Sequence, residues 1–124
     1  MTIQLSVTTR NARLDSIETT AGTSAKLMIY TGSAPANADS STTGSLLVQF
    51  NLASDWAANA SSGSKSFNNT PISANASAAG TAGYFRLFKS DGTTCVMQGT
   101  VTATGGGGDM TIDNTNIASG LNSF

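Results

Sequence analysis

Histidine is absent from the 124 residues, which removes the commonest general base and with it every Ser-His-Asp or Cys-His arrangement. A zinc site of Cys and His fails on the same count, because Cys95 is the single cysteine. Seven acidic residues are enough in number for a two-carboxylate glycosidase pair, yet most have a structural post. Asp91 stands in a turn, Asp55 can cap a helical turn, and Asp15 and Glu18 belong to a helix. Asp109 and Asp113 fall on one face of a short strand. With Asn114 and Asn116 they gather oxygen donors, but at a spacing unlike an EF-hand loop. The run Gly105–Gly108 is followed by Asp109-Met110, where a phosphate loop would carry a lysine and a hydroxyl residue. It reads as a flexible crossover. Cys95 lies mid-strand and reads as a small buried apolar residue. Trp56 reads as a core anchor, with sugar stacking as its other use. The expectation is a protein that is not an enzyme and that takes no cofactor and no metal.

The elements that would position these residues make one domain, 1–124, divided into an N-terminal arm and helix at 1–22 and a β-sandwich at 23–124. Only 10% of the residues are charged and the net charge is −1, with a pI near 4.9. No basic stripe offers a footprint for nucleic acid. No apolar run approaches the ~20 residues of a membrane span, and the first residues lack the pattern of a secretory signal. A surface built from Ser, Thr, Ala, Asn and Gly can be buried against a neighbour at little desolvation cost, which suits a place in an assembly.

The strongest local signal is 82–102, AGYFRLFKSDGTTCVMQGTVT. Asp91-Gly92 between two β-rich runs predicts a hairpin with a two-residue type I′ turn. That register sets Phe88 against Cys95, Leu87 against Val96, Arg86 against Met97, Phe85 against Gln98 and Tyr84 over Gly99. Residues 9–21 predict the one helix, with Leu14, Ile17 and Ala21 as its apolar stripe, Thr8 or Thr9 as its cap and Gly22 as its stop. Arg10, Arg13, Asp15 and Glu18 would ring its polar side.

Residues 2–7 alternate, with Ile3, Leu5 and Val7 pointing one way, as an edge strand or extended arm. Residues 25–31 predict an interior strand, apolar on both faces. Residues 46–52 predict a strand with Leu46, Val48, Phe50 and Leu52 inward. Residues 32–45, 53–65 and 73–83 read as loops, the middle one with a helical turn carrying Trp56. Residues 66–72 read as a short edge strand ending at Pro71, and Leu121 and Phe124 as anchors of the tail. The expected fold is mainly β, an antiparallel sandwich or small barrel of six to eight strands with one N-terminal helix.

Several blocks together resemble a family of small structural proteins of tailed-bacteriophage and prophage virions. They are RNARLDSIET at 10–19, YTGSAPANA at 30–38, LASDWAA at 52–58, AGTAGYFRLFKSDGTTCVMQGTV at 79–101 and GGGGDMTIDNT at 105–115. The likeness runs to about residue 118 and carries no catalytic motif. Family members continue past the NTNIASG-like segment into a further strand, where this sequence stops at Phe124. An edge left open there would accept a strand from a neighbour.

The resemblance implies a capsid decoration (cement) protein on the virion surface, made in the bacterial cytoplasm. Its partners would be the major capsid protein and further copies of itself, a trimer if it follows the threefold junctions of a shell. Ile3, Leu5, Val7, Arg10, Arg13 and Trp56 are the expected contact residues, with loops 32–45 and 53–65 as further contacts. The alternatives are a tail, neck or fibre-attachment component, or a carbohydrate-binding module for host attachment.

Overall fold

A computed structural model describes residues 3–67 and 74–120. The chain is mainly β with one helix: α1 (Val7–Ala21), β1 (Lys26–Thr31), β2 (Leu46–Asn51), β3 (Gly80–Phe88), β4 (Cys95–Ala103), β5 (Met110–Ile112) and β6 (Asn116–Ile117). The strands form a single curled sheet in the order β2-β1-β3-β4-β5, with β6 pairing the start of β3. All neighbours are antiparallel except β4 and β5, which run parallel. The expected mainly β fold with one N-terminal helix is what forms; of the sandwich or small barrel expected, the strands make one curled mixed sheet, a half-barrel, rather than a clean antiparallel sandwich.

β1 is interior, as its two apolar faces require. Leu27 and Ile29 enter the larger core with Val48, Phe50, Leu87 and Val101, and with Trp56 and Ala21 from above the sheet. Met28 and Tyr30 enter a smaller cluster on the other face with Tyr84 and Phe88. The rings of Tyr30 and Tyr84 stack with centroids 5.3 Å apart. Burial raises the pKa of the Tyr30 phenol. The loop over this second face is fastened by Tyr84, whose hydroxyl accepts from Thr43 N at 3.1 Å and donates to Thr43 O.

Three β-bulges account for most departures from simple alternation, since an extra residue on one strand shifts every later side chain to the other face. In β2 the ladder passes from Ile29↔Val48 to Tyr30↔Leu46. Leu47 is the extra residue, so Leu47 and Val48 both reach the larger core while Leu46 turns to the Tyr30 side. In β3 the shift lies between Tyr30↔Tyr84 and Thr31↔Ala82, leaving Gly83 unpaired. A Cβ there would stand 1.8 Å from the Gly32 carbonyl oxygen, so the close approach needs glycine. β3 thus begins inside the segment expected to be a loop at 73–83.

In β4 the extra residue is Val96. Phe88 faces Cys95 as expected, but beyond it Leu87 faces Met97, Arg86 faces Gln98, Phe85 faces Gly99 and Tyr84 faces Thr100. Phe85, not Tyr84, covers Gly99. The turn is four residues long rather than two. Lys89 N donates to Thr94 O at 3.0 Å and Gly92 N to Lys89 O at 2.9 Å, and of Asp91-Gly92 only Gly92 has positive φ. Asp91 closes this turn with its side chain, accepting from Thr93 N, Thr94 N and the Thr94 hydroxyl at 2.8, 2.9 and 2.6 Å. Those bonds favour the ionised form and draw its pKa down to about 2.

The glycine run is a tight return that lets β5 lie parallel to β4 after only six residues. Gly105 and Gly107 take positive φ. A Cβ on Gly106 or Gly108 would stand 2.8 Å from the Thr102 side chain, and Gly108 N donates to Thr102 Oγ1 at 3.0 Å. Asp109 is spoken for by Thr100, whose N and Oγ1 lie 3.0 and 3.2 Å from its carboxylate.

Candidate functional site

α1 starts two residues earlier than its sequence pattern suggests, at Val7 rather than residue 9. Ser6, not Thr8 or Thr9, caps it, with its Oγ accepting from Thr9 N at 3.2 Å. Gly22 ends it at φ 76°, sending its N–H back to Glu18 O. Threonines and valine make the helix intrinsically weak, so docking must hold it.

The dock is a short ribbon formed by 57–67. Ala57 bridges Phe67, Ala58 N donates to Ser66 O at 2.9 Å, and Ser61 and Ser64 exchange two bonds at 2.8 and 2.9 Å. Ser62 and Gly63 both have positive φ (52° and 73°), so a type I′ turn forms here, at Ser-Gly. No helical turn forms around Trp56.

The ribbon grips one side of α1 through polar contacts. Gly63 N donates to Asn11 Oδ1 at 2.9 Å and Ala60 N to Asp15 Oδ1 at 2.8 Å. Lys65 Nζ reaches Asp15 at 2.6 Å, Glu18 at 2.8 Å and the Ala58 carbonyl at 3.0 Å. The lysine hydrogen bond and the Ala60 N–H hold the Asp15 carboxyl below its ordinary value. Burial works to lower the pKa of Lys65, but its bonds to Asp15 and Glu18 outweigh it and leave that pKa raised. Asp15 and Glu18 therefore do not ring a solvated face; they are half-buried fasteners. Trp56 adds the anchor at the helix end. It is 5% exposed, and its Nε1 donates to Gly22 O at 2.9 Å.

Apolar surface is left over at the other end. Ile3, Leu5 and Val7 are 88, 37 and 46% exposed. Val7 sits seven residues before Leu14 and fourteen before Ala21, on one helical stripe. That stripe is buried at Ala21, half-buried at Leu14 and open at Val7, so α1 overhangs the body of the domain. Arg10 and Arg13 are exposed beside it, and Arg10 Nη1 donates to Leu5 O at 3.0 Å. Continuous with the overhang is a groove of about 180 Å³ between α1, the ribbon and β4, lined by Leu14, Ile17, Trp56, Phe67 and Met97 among others. Phe67 is 44% exposed, with its ring 5.8 Å from that of Trp56.

Five of the six expected contact residues, Ile3, Leu5, Val7, Arg10 and Arg13, are exposed on the arm and the first half of α1. Trp56 does not join them on the surface. It sits in the core beneath the ribbon, and with 5% exposure its indole offers no open face for a sugar. Lys65 and Phe67 are the site residues that sequence reasoning passed over. A lone lysine and a lone Phe in a Ser- and Asn-rich stretch carry no periodicity to mark them.

The other candidates disperse. Cys95 is half-buried, and burial pushes its thiol up, against the pull of Arg86. No group of three or more His, Cys, Asp or Glu that could hold a metal occurs among the described residues, and no helix among them is long and apolar enough to cross a membrane. The expected strand at 66–72 and the tail anchors Leu121 and Phe124 lie largely outside the described residues. No family model matches the chain, and neither a curated protein nor a solved structure does.

Proposed function

We propose that this protein is a structural component of a bacteriophage virion, a decoration (cement) protein that binds the outer face of the capsid and stabilises the shell. The observation that carries the reading is the edge formed by Ile3, Leu5 and Val7, three large apolar side chains that a well-packed domain leaves in solvent. Exposed apolar surface of this kind marks a contact with another macromolecule. The resemblance of several sequence blocks to those of virion structural proteins and the sparse charge support the same reading, since a weakly charged surface is cheaply desolvated against a shell.

In this proposal the partners are the major capsid protein and further copies of the chain. Loops 32–45 and 53–65 supply contacts beside the arm, and Trp56 contributes by holding the second loop in place. The mechanism is burial of neutral and apolar surface across junctions between capsid subunits, which resists their separation under internal pressure.

The test is the number of copies per purified particle, measured by mass spectrometry against the major capsid protein. A ratio of one to one, or a simple fraction of it, is expected. About a dozen copies would move the protein to the neck or tail and end the cement reading.

A further inference from the structure

We infer that α1 and the 57–67 ribbon form a latch that opens from the sheet as one unit while β1, β2, β3 and β4 stay folded, with Lys65 as its pin. The latch is independent of the virion reading.

The sheet has little need of the helix. Of the α1 side chains only Ala21 is fully buried. Leu14 and Ile17 are half-buried beside the open groove of about 180 Å³. The larger core is built on Ile29, Leu47, Val48, Leu87 and Val101 of the four long strands. Opening the helix withdraws from that core one alanine and the partial cover of Ile17. Elements with few buried apolar contacts are the ones that open below the limit of global unfolding.

The helix and the ribbon each need the other. A 15-residue helix rich in threonine is marginal alone. The ribbon is closed by the Ala57–Phe67 and Ser61–Ser64 bridges and pairs with no strand of the sheet among the described residues, and an isolated two-stranded ribbon is marginal as well. What joins the two is polar: Gly63 N on Asn11, Ala60 N on Asp15, and Lys65. Lys65 Nζ lies 2.6 Å from Asp15 and 2.8 Å from Glu18, neighbours on one helix face, and 3.0 Å from the Ala58 carbonyl. One ammonium therefore ties the helix to both limbs of the ribbon. Its side chain is only 10% exposed, which keeps water from competing for those bonds.

A hinge stands where the latch turns. Gly22 and Ser24, in the link from α1 to β1, have φ of 76° and 55°. Glycine takes such a conformation freely. Serine there is in the sparsely populated left-handed region, a strain that release of the helix relieves.

The test is amide hydrogen exchange of the intact chain, read residue by residue by NMR at rising urea concentrations below the unfolding transition. The amides from Arg13 to Gly22 and those of Ala58, Ala60 and Gly63 are expected to exchange through one shared opening. They should show one urea dependence and protection at least about a hundredfold below that of β1 and β3. Lys65→Met is expected to speed this set about tenfold or more and to leave β1 and β3 within about twofold of the unaltered chain.

Protection of α1 equal to that of β1 and β3 would overturn the latch, since helix and sheet would then open only together. Protection that falls steadily from Gly22 toward Arg13 would overturn it as well, by showing a helix that frays from its end. Ribbon amides that exchange apart from those of α1 would break the shared unit. A Lys65→Met chain in which β1 and β3 speed up as much as α1 would remove Lys65 as the pin. The unaltered chain decides by itself whether the latch exists, so the outcome does not hang on the variant folding.

Discussion

Arg86 and Gln98 face each other across the β3–β4 ladder, and the guanidinium Nε donates to Gln98 Oε1 at 3.1 Å. The Gln98 amide passes the connection on to Pro35 O at 2.8 Å. Arg86 Nη1 reaches Ser40 O and Thr42 Oγ1 at 2.8 and 3.1 Å, and Nη2 reaches Asn37 O at 3.3 Å. Arg86 is 1% exposed and has no carboxylate within ion-pair distance among the described residues. Its charge is spread over carbonyl and hydroxyl oxygens of the 32–45 loop. The fork of donors is what folds that Pro- and Ser-rich segment onto the sheet.

Arg86→Met keeps the bulk and removes the donors that the carbonyl groups of Asn37 and Ser40 and the Thr42 hydroxyl accept from. A loss of about 3 kcal/mol or more is expected in urea unfolding, because bonds to a charged group and the desolvation of their abandoned partners both count. Arg86→Lys should recover only part of it, since an ammonium cannot span three oxygens set in a fork. A loss below about 1 kcal/mol for Arg86→Met would show that the loop is held by Tyr84 and Thr43 instead.

Two glycines in the sheet should differ in what they tolerate. A Cβ at Gly83 meets a backbone oxygen at 1.8 Å, whereas one at Gly99 meets the Phe85 ring at 2.6 Å. A ring can tilt and a carbonyl inside a bulge cannot. Gly99→Ala should cost about 1–3 kcal/mol, in the range of ordinary overpacking. Gly83→Ala should cost distinctly more, with loss of the β1–β3 pairing near Thr31. Equal melting temperatures for the two variants would contradict the bulge.

Acid sensitivity should have a local origin in the β3–β4 turn. The Asp91 pKa in the folded chain is about 2, below the ~3.9 of an unfolded aspartate. A depressed folded value means that the stabilisation is complete above the unfolded pKa and is lost as pH falls from about 4 to about 2. Asp15 is shifted in the same direction and adds to the same acid limb. Asp91→Asn should flatten the fall of melting temperature across that window, and the Asp91 carboxyl should titrate near 2 by NMR. An ordinary titration near 4 would remove the turn from the account.

How much of this was legible in the sequence depended on the range of the determining contact. The helix stripe Leu14–Ile17–Ala21, the Gly22 stop and the two-faced β1 are written in local periodicity, and each is where the pattern places it. The bulges at Leu47, Gly83 and Val96 are not, because an extra residue is selected by the partner strand and leaves the composition unchanged. The turn at Asp91-Gly92 is four residues long because Asp91 bonds Thr93 and Thr94 through its carboxylate, a contact that the Asp-Gly pair alone does not announce. The alternation of Ile3, Leu5 and Val7 predicts an edge strand or arm, whereas residues 3–6 join no strand and Val7 opens α1. The exposure of these three side chains was not legible, for only the folded body shows where α1 runs out of support. The buried Arg86 and the Lys65 fastener depend on partners tens of residues away, and no local rule announces either.

Trp56 is the one tryptophan of the chain, and its indole N–H is tied to the carbonyl of Gly22, the residue that stops α1. The two tyrosines, Tyr30 and Tyr84, are stacked on the opposite face of the sheet. The molecule therefore carries two separate optical reporters. Indole fluorescence follows the seating of the helix, and tyrosine near-ultraviolet dichroism follows the covering of the far face. Whether the two sides of the sheet come apart together or in sequence can be observed in the unmodified chain, without a label.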